Sequence, residues 1–318
     1  MLITFLRTIF SVWELRWEVL LPMGIMLGLY LRGWFRLRAI QKRLDAQRRR
    51  ESWRLPRTAP PLASIWRLLA YLAGWLTLIA ALLSGIDAYG SMFFFVHMLQ
   101  HLLIMMVAPP LLWLANPYAV GVWGLPRRLR LEVGAWLSRP SRLRHHLDAI
   151  ARPGLAWLTM VVVTWVWHDS MMYDLSLRND LAHDIQHISF VLMGLYYWWL
   201  IIGAAPRHYR FATPLRRSLF LLAAVPPNLL LGMAIAFASE PIYPYYTSVP
   251  RLWGISVMTD QQLGGVLMWV PGSMMFLMAA LISAAVYFSE EEQKHTLPPS
   301  EWDGDHALLI PGLRTDDP

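Results

Sequence analysis

Cysteine is absent from the 318 residues of this chain. The sequence therefore excludes disulfides, thiolate metal sites and cysteine nucleophiles, and any metal must be bound by His, Met, Asp or Glu. Lysine is nearly absent, since Lys42 and Lys294 are the only two. Both lie outside the long apolar runs. A retinal Schiff base needs a buried lysine, so a retinal protein is also excluded.

Charged residues are scarce as well, at 15% of the chain, whereas hydrophobic residues make up 56%. This composition is too apolar for a water-soluble globule and is typical of a polytopic membrane protein. Seven runs have the roughly 17–25 residues that a membrane-crossing helix needs. They lie at about residues 17–33, 64–85, 92–114, 154–170, 183–203, 216–238 and 264–288. We predict an all-α, seven-transmembrane-helix bundle that keeps its first span, because no signal-peptide cleavage site follows a short apolar core.

The basic residues, which give a net charge of +7, are unevenly distributed between the predicted loops. Loops 32–63, 115–153 and 204–217 carry ten, seven and four Lys or Arg, whereas the alternate segments carry two, none, one and one. Cytoplasmic loops are enriched in Lys and Arg, so we predict an N-terminus outside and a C-terminus in the cytoplasm. This pattern indicates membrane orientation and contact with the lipid bilayer, and no nucleic-acid binding.

The chain is predicted to consist of one membrane domain and one tail. Residues 1–288 hold the seven spans, and residues 289–318 are acidic and proline-rich. Such a composition predicts a loosely ordered segment, here on the cytoplasmic side.

Two pairs of histidines have a spacing of four residues, His97 with His101 and His183 with His187. Side chains four apart on a helix share one face and lie about 6 Å apart along the axis. The predicted topology places both pairs, together with His168, in the outer half of the membrane. Ionisable side chains within spans usually mark function. Three helices that present imidazoles at one depth predict a metal site, for copper, zinc or iron.

Six further residues near these histidines have side chains able to support a metal site. They are Met98, Met171, Met172, Asp169, Asp184 and Asp260. Thioether sulfur favours Cu(I), so His and Met without Cys favour copper, as Cu(I) or Cu(II). Carboxylates can orient the imidazole N–H groups, although Asp169 has a second interpretation as the cap of the next helical turn. Methionine also fills gaps in cores, which is the alternative for the sulfur ligands.

The remaining histidines and one pair of prolines lead to separate predictions. His145, His146 and His208 lie beside arginines in basic loops, and His295 and His306 lie in the tail, so all five are predicted to be incidental to a metal site. Pro226 and Pro227 remove two helix donors and predict a kink in the sixth span. Asn228 then either satisfies a freed carbonyl or lines a cavity.

Three motifs resemble the CtaG family of cytochrome c oxidase assembly factors. They are HMLQHLLIMMVAPPLLWLANP at 97–117, WHDSMMYDLSLRNDLAHDIQHISFVLMGLYYWW at 167–199 and DQQLGGVLMWVPG at 260–272. The resemblance covers about residues 60–290 and implies roles for His97, His101, His168, His183, His187, Asp260 and Gln261. Two departures are Asp169 and Ser170 after His168, where the family often has an apolar residue and proline, and Leu200, where proline commonly follows the paired tryptophans.

The resemblance implies a non-enzymatic assembly factor of the bacterial inner membrane. The family is associated with caa-type terminal oxidases, whose biogenesis requires copper insertion, so it implies oxidase subunits as partners. The His and Met chemistry adds the prediction that the protein binds or positions copper on the outer face for delivery to an oxidase subunit, with a periplasmic copper chaperone as a further candidate partner. Two other functions stay open. A metal-dependent membrane enzyme is one, although no carboxylate deep in a span provides an evident general base. A haem-binding electron carrier with two axial histidines is the other.

Overall fold

The computed structural model describes residues 12–50, 62–137, 141–209 and 211–292. Within these ranges the chain forms helices and one isolated β-bridge, between Trp13 and Ser84, so the all-α prediction is confirmed. The predicted tail lies outside the described residues except for 289–292, which end the last helix. His295 and His306 also lie outside them.

The first part of the chain forms five α-helices and one π-helical segment. They are α1 (Trp17–Arg50), α2 (Ile65–Leu83), α3 (Gly85–Gly90), α4 (Phe94–Leu102), the π segment (Leu103–Val107) and α5 (Ala108–Leu114). Serine side chains begin two of these helices. The Ser64 hydroxyl accepts the amide of Arg67 at the start of α2, and the Ser84 hydroxyl accepts the amide of Ile86 in α3.

The π segment follows from the two prolines after it. Pro109 and Pro110 have no N–H to donate to the carbonyls of Met105 and Met106, four residues earlier. The Met105 carbonyl instead accepts the indole N–H of Trp198 at 3.1 Å. The sequence predicted one continuous helix here, and the structure keeps one crossing, Phe94–Leu114, with a change of helix type in its middle.

The central part of the chain carries the basic residues of the second predicted loop. Its elements are α6 (Pro117–Gly121), a 3-10 turn (Val122–Gly124), α7 (Arg127–Trp136), α8 (Arg142–Ile150), α9 (Pro153–Trp167), α10 (Ser170–Arg178) and α11 (Asp180–Ile202). Helices α8 and α9 meet at a bend of 65°. Helix α8 therefore runs at a steep angle to α9 and does not extend it in a straight line.

The last part of the chain contains a helix break beside the predicted proline kink. Its helices are α12 (Pro214–Leu222), α13 (Val225–Ala236), α14 (Tyr245–Ser248) and α15 (Val257–Glu292). The break at 223–224 immediately precedes Pro226 and Pro227, in agreement with the prediction. Asn228 lines a cavity, which was the second of its two alternatives. Its amide donates to the carbonyl of Met268 on α15 at 2.9 Å, whereas the carbonyl of Ala223, which Pro227 leaves free, accepts the indole N–H of Trp157 at 2.9 Å.

Five helical segments in the described part of the chain are long and apolar enough to cross a membrane. They are Ile65–Leu83, Phe94–Leu114, Asp180–Ile202, Pro214–Ala236 and Val257–Ser289. The bent pair α8 and α9 makes a sixth if it acts as one span. Helix α1, the first of the seven predicted spans, is not in this set, and the seven-span count stays a prediction.

Helix α1 nevertheless packs closely against the other helices. The Tyr30 hydroxyl donates to the carbonyl of Ala115 at 3.1 Å. A Cβ added at Gly33 would lie 2.0 Å from the carbonyl oxygen of Val120, so the two backbones are in direct contact there. Tyr30 is only 1% exposed. Helix α1 therefore belongs to the bundle.

Several helix ends meet at one end of the bundle, which we call the histidine end. The amide of Glu14, before α1, donates to the carbonyl of Leu83, at the end of α2, at 2.9 Å. The amide of Phe94, at the start of α4, donates to Asp260, in the first turn of α15. The starts of α1, α4 and α15 and the end of α2 thus lie together, away from the arginine-rich α7 and α8.

Candidate metal centre

Three helices bring the five predicted histidines together at the histidine end. His97 and His101 lie on α4, His168 follows the last residue of α9, and His183 and His187 lie on α11. Ring centroids are 4.3 Å apart for His97 and His101, and 4.1 Å apart for His183 and His187. Between helices, His97 lies 5.5 Å from His183, and His101 lies 5.5 Å from His187 and 5.9 Å from His168. We call these five rings the histidine cluster.

Three of the rings are arranged to share one ion. His97, His183 and His187 each have a ring nitrogen within 4.8 Å of the other two. Imidazole ligands bind at about 2.0–2.1 Å, so two ligands of one ion lie at most about 4 Å apart. Side-chain shifts of under about one ångström would therefore complete a three-histidine site. We call this group the histidine trio.

The buried ring nitrogens fit a metal ion. His97 is fully buried, and His101 and His187 are 3% and 5% exposed. Within the described part of the chain, both ring nitrogens of His101 and Nε2 of His187 have no hydrogen-bond partner. The nitrogens of His97 make no hydrogen bond of normal geometry, although Gln186 and the backbone of Gly90 lie beside that ring. Buried polar groups are nearly always hydrogen-bonded, so these exceptions require an explanation. Neutral imidazoles whose lone pairs remain free are the donor set that copper or zinc accepts.

His168 and Met98 form a second contact of metal-binding type. His168 Nδ1 lies 2.6 Å from the carbonyl oxygen of Thr164, which can only accept a hydrogen bond, so Nδ1 carries the proton. The lone pair of the neutral ring is then on Nε2, which lies 3.4 Å from the sulfur of Met98. A backbone carbonyl that fixes the tautomer in this way is the usual support of a metal-binding histidine.

The other predicted accessory residues have different contacts. Asp169 accepts the amides of Met171 and Met172 at 3.1 and 3.3 Å, so it caps α10, the second of its two interpretations. The side chain of Met171 is 74% exposed. Asp184 pairs with Arg16, with N and O atoms 2.6 Å apart. Of the six accessory residues, Met98 is the one for which we find a direct contact with the cluster.

Asp260 acts on a helix rather than on an imidazole ring. Its two carboxylate oxygens accept the amides of Phe94 and Phe95 at 3.0 and 2.9 Å, and one of them also pairs with Arg251 at 2.8 Å. The first amides of a helix have no partner within it, and a negative charge there is favourable. The sequence suggested that Asp260 orients a ring, whereas the structure shows it holding the start of the helix that carries His97 and His101.

Gln261 supports the segment that follows α13. Its side-chain oxygen accepts the amide of Ile242 at 2.7 Å, and its nitrogen donates to the carbonyls of Ile235 and Glu240 at 3.3 Å. This segment contains Tyr243, whose hydroxyl donates to the carbonyl of His168 at 3.0 Å. Gln261 therefore fixes a wall of the cluster without contacting a ring nitrogen.

Sequence reasoning missed two glutamines beside the histidines. Gln100 and Gln186 are fully buried. Gln100 donates to the carbonyl of Ala81 at 2.9 Å and to the carboxylate of Asp87 at 2.5 Å. Burial raises the pKa of Asp87, and the hydrogen bond from Gln100 opposes that rise. The available signal was the pattern HxxQH, which occurs twice, as HMLQH and HDIQH.

Three buried tyrosines were also missed. Tyr173, Tyr243 and Tyr246 pack against Phe94, and the ring of Tyr173 lies 5.3 Å from that of His97. The hydroxyls of Tyr173 and Tyr246 are 3.2 Å apart, and burial raises the pKa of both well above its usual value. Both hydroxyls therefore stay protonated near neutral pH. Tyrosines in predicted loops gave no signal that distinguished them from an interfacial aromatic belt.

The histidines of the basic loops lie away from the cluster. His145 is exposed, and its Nδ1 lies 3.0 Å from the carbonyl oxygen of Ser141. His208 Nδ1 lies 2.6 Å from a carboxylate oxygen of Asp148. His146 is exposed on the same helix as His145. These three residues agree with the prediction that they take no part in the cluster.

Apolar helices around a buried group of histidines define a multi-pass membrane protein with a candidate metal centre. Residues 28–289 match the family described as cytochrome c oxidase caa3 assembly factor (Caa3_CtaG). The match covers most of the chain, so the protein belongs to this family, as its motifs predicted. The matched region contains all five histidines of the cluster and most of α1.

The chain is also similar to proteins of mycobacteria that are named only as uncharacterised. It is 32% identical over 213 residues to one from Mycobacterium bovis and to one from Mycobacterium tuberculosis. It is 29% identical over 216 residues to one from Mycobacterium leprae. Each alignment covers 64% of this chain and 31% of the relative, so the chain spans about a third of the length of these relatives. No solved structure matches the chain.

Proposed function

We propose that this protein binds copper in the histidine cluster and hands it to a cytochrome c oxidase subunit during oxidase assembly. The observation that carries the proposal is the histidine trio, in which two helices present three nitrogens within 4.8 Å of one another. Membership of an oxidase assembly family supports an oxidase subunit as the acceptor of the copper. The role is non-enzymatic, since the metal is the cargo.

The ligand chemistry supports transfer rather than storage. A closed four-cysteine site holds its metal tightly, and this chain has no cysteine. Imidazole and thioether ligands bind copper while leaving exchange possible. A periplasmic copper chaperone supplies the metal, and an oxidase subunit accepts it.

The proposal places the histidine end on the outer side of the bacterial inner membrane. The arginine-rich loops then face the cytoplasm, in accordance with the positive-inside rule. In this proposal α1 also crosses the membrane, which brings the count to seven when the bent pair α8 and α9 is taken as one span. The buried Tyr30 and the close approach at Gly33 support the place of α1 in the bundle. The N-terminus is outside and the C-terminus is cytoplasmic in this arrangement.

The proposal is tested in a strain that carries His183→Ala with His187→Ala. We expect normal amounts of this protein and of oxidase apoprotein, but oxidase with low activity and low copper, because the trio has lost two of its three ligands. Added copper should restore part of the activity by mass action. The control is His145→Ala with His146→Ala, which removes two histidines outside the cluster. A fully copper-loaded, active oxidase in the first strain would refute the proposal.

Purified protein distinguishes copper transfer from the haem and enzyme alternatives. The wild-type protein should bind Cu(II) without a Soret band, and the double variants at His97 and His101 and at His183 and His187 should each lose most of the affinity, because the ligands come from two helices. Wild-type affinity in both double variants would make the histidines structural. A strong Soret band would instead indicate a haem carrier.

A further inference from the structure

A cavity of about 50 Å³ lies beside the histidine cluster, deeper in the bundle. Six methionines line it, from helices α4, α9, α11 and α15 and from the π segment. They are Met98, Met105, Met106, Met160, Met193 and Met268. The chain has 17 methionines, so about a third of its thioethers face one small space. His101 and His168 form the wall shared with the cluster.

Polar atoms without partners also face this cavity. The Tyr197 side chain is 1% exposed and lines the cavity, and its hydroxyl has no hydrogen-bond partner among the described residues. His101 also lines it, with both ring nitrogens unpartnered. Pure packing would leave these buried polar groups unsatisfied, at a cost of about 1–3 kcal/mol each. A bound ion would accept the ring-nitrogen lone pair of His101.

Two backbone segments, α11 and the π segment, lie very close together beside the cavity. A Cβ added at Gly194, on α11, would lie 2.8 Å from the carbonyl oxygen of Met105 in the π segment. Only glycine allows the two helices to approach this closely. The π segment places Met105 and Met106 beside the cavity, and π segments in helices frequently occur at functional sites.

We propose that the methionine cavity is a second metal site, specific for Cu(I), which receives the ion through His101. This inference rests on the proposed copper function and adds a second binding site to it. His101 lies 4.3 Å from His97 of the trio and 5.9 Å from His168, measured between ring centroids, so it borders both groups. The Nε2 atom of His168 and the sulfur of Met98, 3.4 Å apart, provide the first two ligands.

Charge and softness select the monovalent ion. Thioethers are neutral, soft ligands that favour Cu(I). The penalty for placing an ion in an apolar medium rises with the square of its charge, so Cu(II) would pay about four times the penalty of Cu(I) in the same cavity. The volume of about 50 Å³ exceeds the roughly 10–15 Å³ that one water needs, so an ion fits after small side-chain shifts. The ion enters as Cu(I), and no electron is transferred.

The test is Cu(I) binding by the full-length protein in detergent, measured against a competing Cu(I) chelator and by X-ray absorption. Wild-type protein should bind two Cu(I) ions and show sulfur ligands. Met98→Leu with Met160→Leu keeps the side-chain volumes nearly unchanged and should weaken binding of the second ion and lower the number of sulfur ligands, since two of the six methionines are removed. The matched control is Met171→Leu with Met278→Leu, at positions 74% and 55% exposed, which should behave as wild type. Met268→Leu alone is the second variant, in case the double variant does not fold.

The outcomes separate this proposal from the copper-transfer function. One Cu(I) with nitrogen ligands alone in wild-type protein, or unchanged sulfur ligation in the cavity variants, overturns the cavity site and leaves copper transfer intact. Absence of copper binding by the wild-type protein overturns both. A sulfur-bound Cu(I) that persists after His183→Ala with His187→Ala supports a cavity site distinct from the trio.

Discussion

At the scale of single residues, the cluster depends on side chains that contact no imidazole nitrogen. Asp260 fixes the start of α4, and Gln261 fixes the segment that reaches Tyr243 and thus the carbonyl of His168. These contacts set where His97 and His168 lie. The residues carried over from the family motifs thus divide into possible ligands and the groups that position them.

Asp260→Asn should lower the stability of the protein and weaken copper binding together. An amide cannot accept both backbone N–H groups and also pair with Arg251, so we expect a loss of about 2 kcal/mol or more and a lower melting temperature in detergent. Asp260 is 1% exposed in this pair and Arg251 is 20% exposed. Thermal unfolding and Cu(II) titration of the same preparation measure both effects.

The control is Asp174→Asn, which disrupts the pair with the 56% exposed Arg178 and should cost less than about 1 kcal/mol. Equal melting temperatures for the two variants would contradict a special role for Asp260.

The candidate ligands could be predicted from the sequence because their spacing is a local property. A separation of four residues puts two histidines on one helix face, whatever the fold. The role of Asp260 could not be predicted, because its partners lie 166 and 165 residues away in the sequence. Gln186 illustrates the same limit, since a buried amide in an apolar helix looks like any polar interruption.

At the scale of helices, α1 packs against the rest of the chain through contacts that the apolar runs do not predict. Arg36 lies beyond the apolar run 17–33 but within α1, and it donates to the carbonyls of Trp123 and Leu125 at 3.1 and 3.0 Å. Gly124 approaches α1 as closely as Gly33 approaches Val120, since a Cβ added at Gly124 would lie 2.1 Å from the carbonyl oxygen of Leu29. Glycines on both elements allow this contact, which composition alone does not indicate.

Gly33→Ala should destabilise the bundle, whereas Gly28→Ala on the same helix should not. The added methyl group at position 33 would collide with the backbone at Val120, and overpacking of this kind costs about 1–3 kcal/mol. At position 28 nothing lies within 4 Å, and alanine in a helix is favoured over glycine by about 0.5–1 kcal/mol. Thermal unfolding of both variants in detergent checks the difference. Equal stability of the two would mean that α1 does not pack here.

At the scale of the whole molecule, the chain repeatedly passes between an end rich in histidine and an end rich in arginine. Apolar length and the distribution of basic residues predicted this arrangement, because both are set by the bilayer rather than by detailed packing. The long-range contacts that join the histidine end, such as Arg16 with Asp184, are 168 residues apart and had no sequence signal.

Reporter fusions provide the test of the proposed orientation. A fusion after about residue 50 should report the cytoplasm, and one after about residue 178 should report the outside, because the loops differ in basic residues. A fusion after residue 137 serves as a control and should agree with the first. Fusions at 50 and 178 that report the same side would overturn the topology.

The π segment between α4 and α5 separates one membrane crossing into two angular registers. A π turn accommodates about one residue more than an α-helical turn, and each residue advances an α-helix by about 100°. The half that carries His97 and His101 is therefore rotated by roughly that angle relative to an uninterrupted continuation of α5. In the first half of this crossing, the histidines thereby face α11 and α9. In the second half, α5 packs against α2 through a face that an uninterrupted α-helix would turn in a different direction.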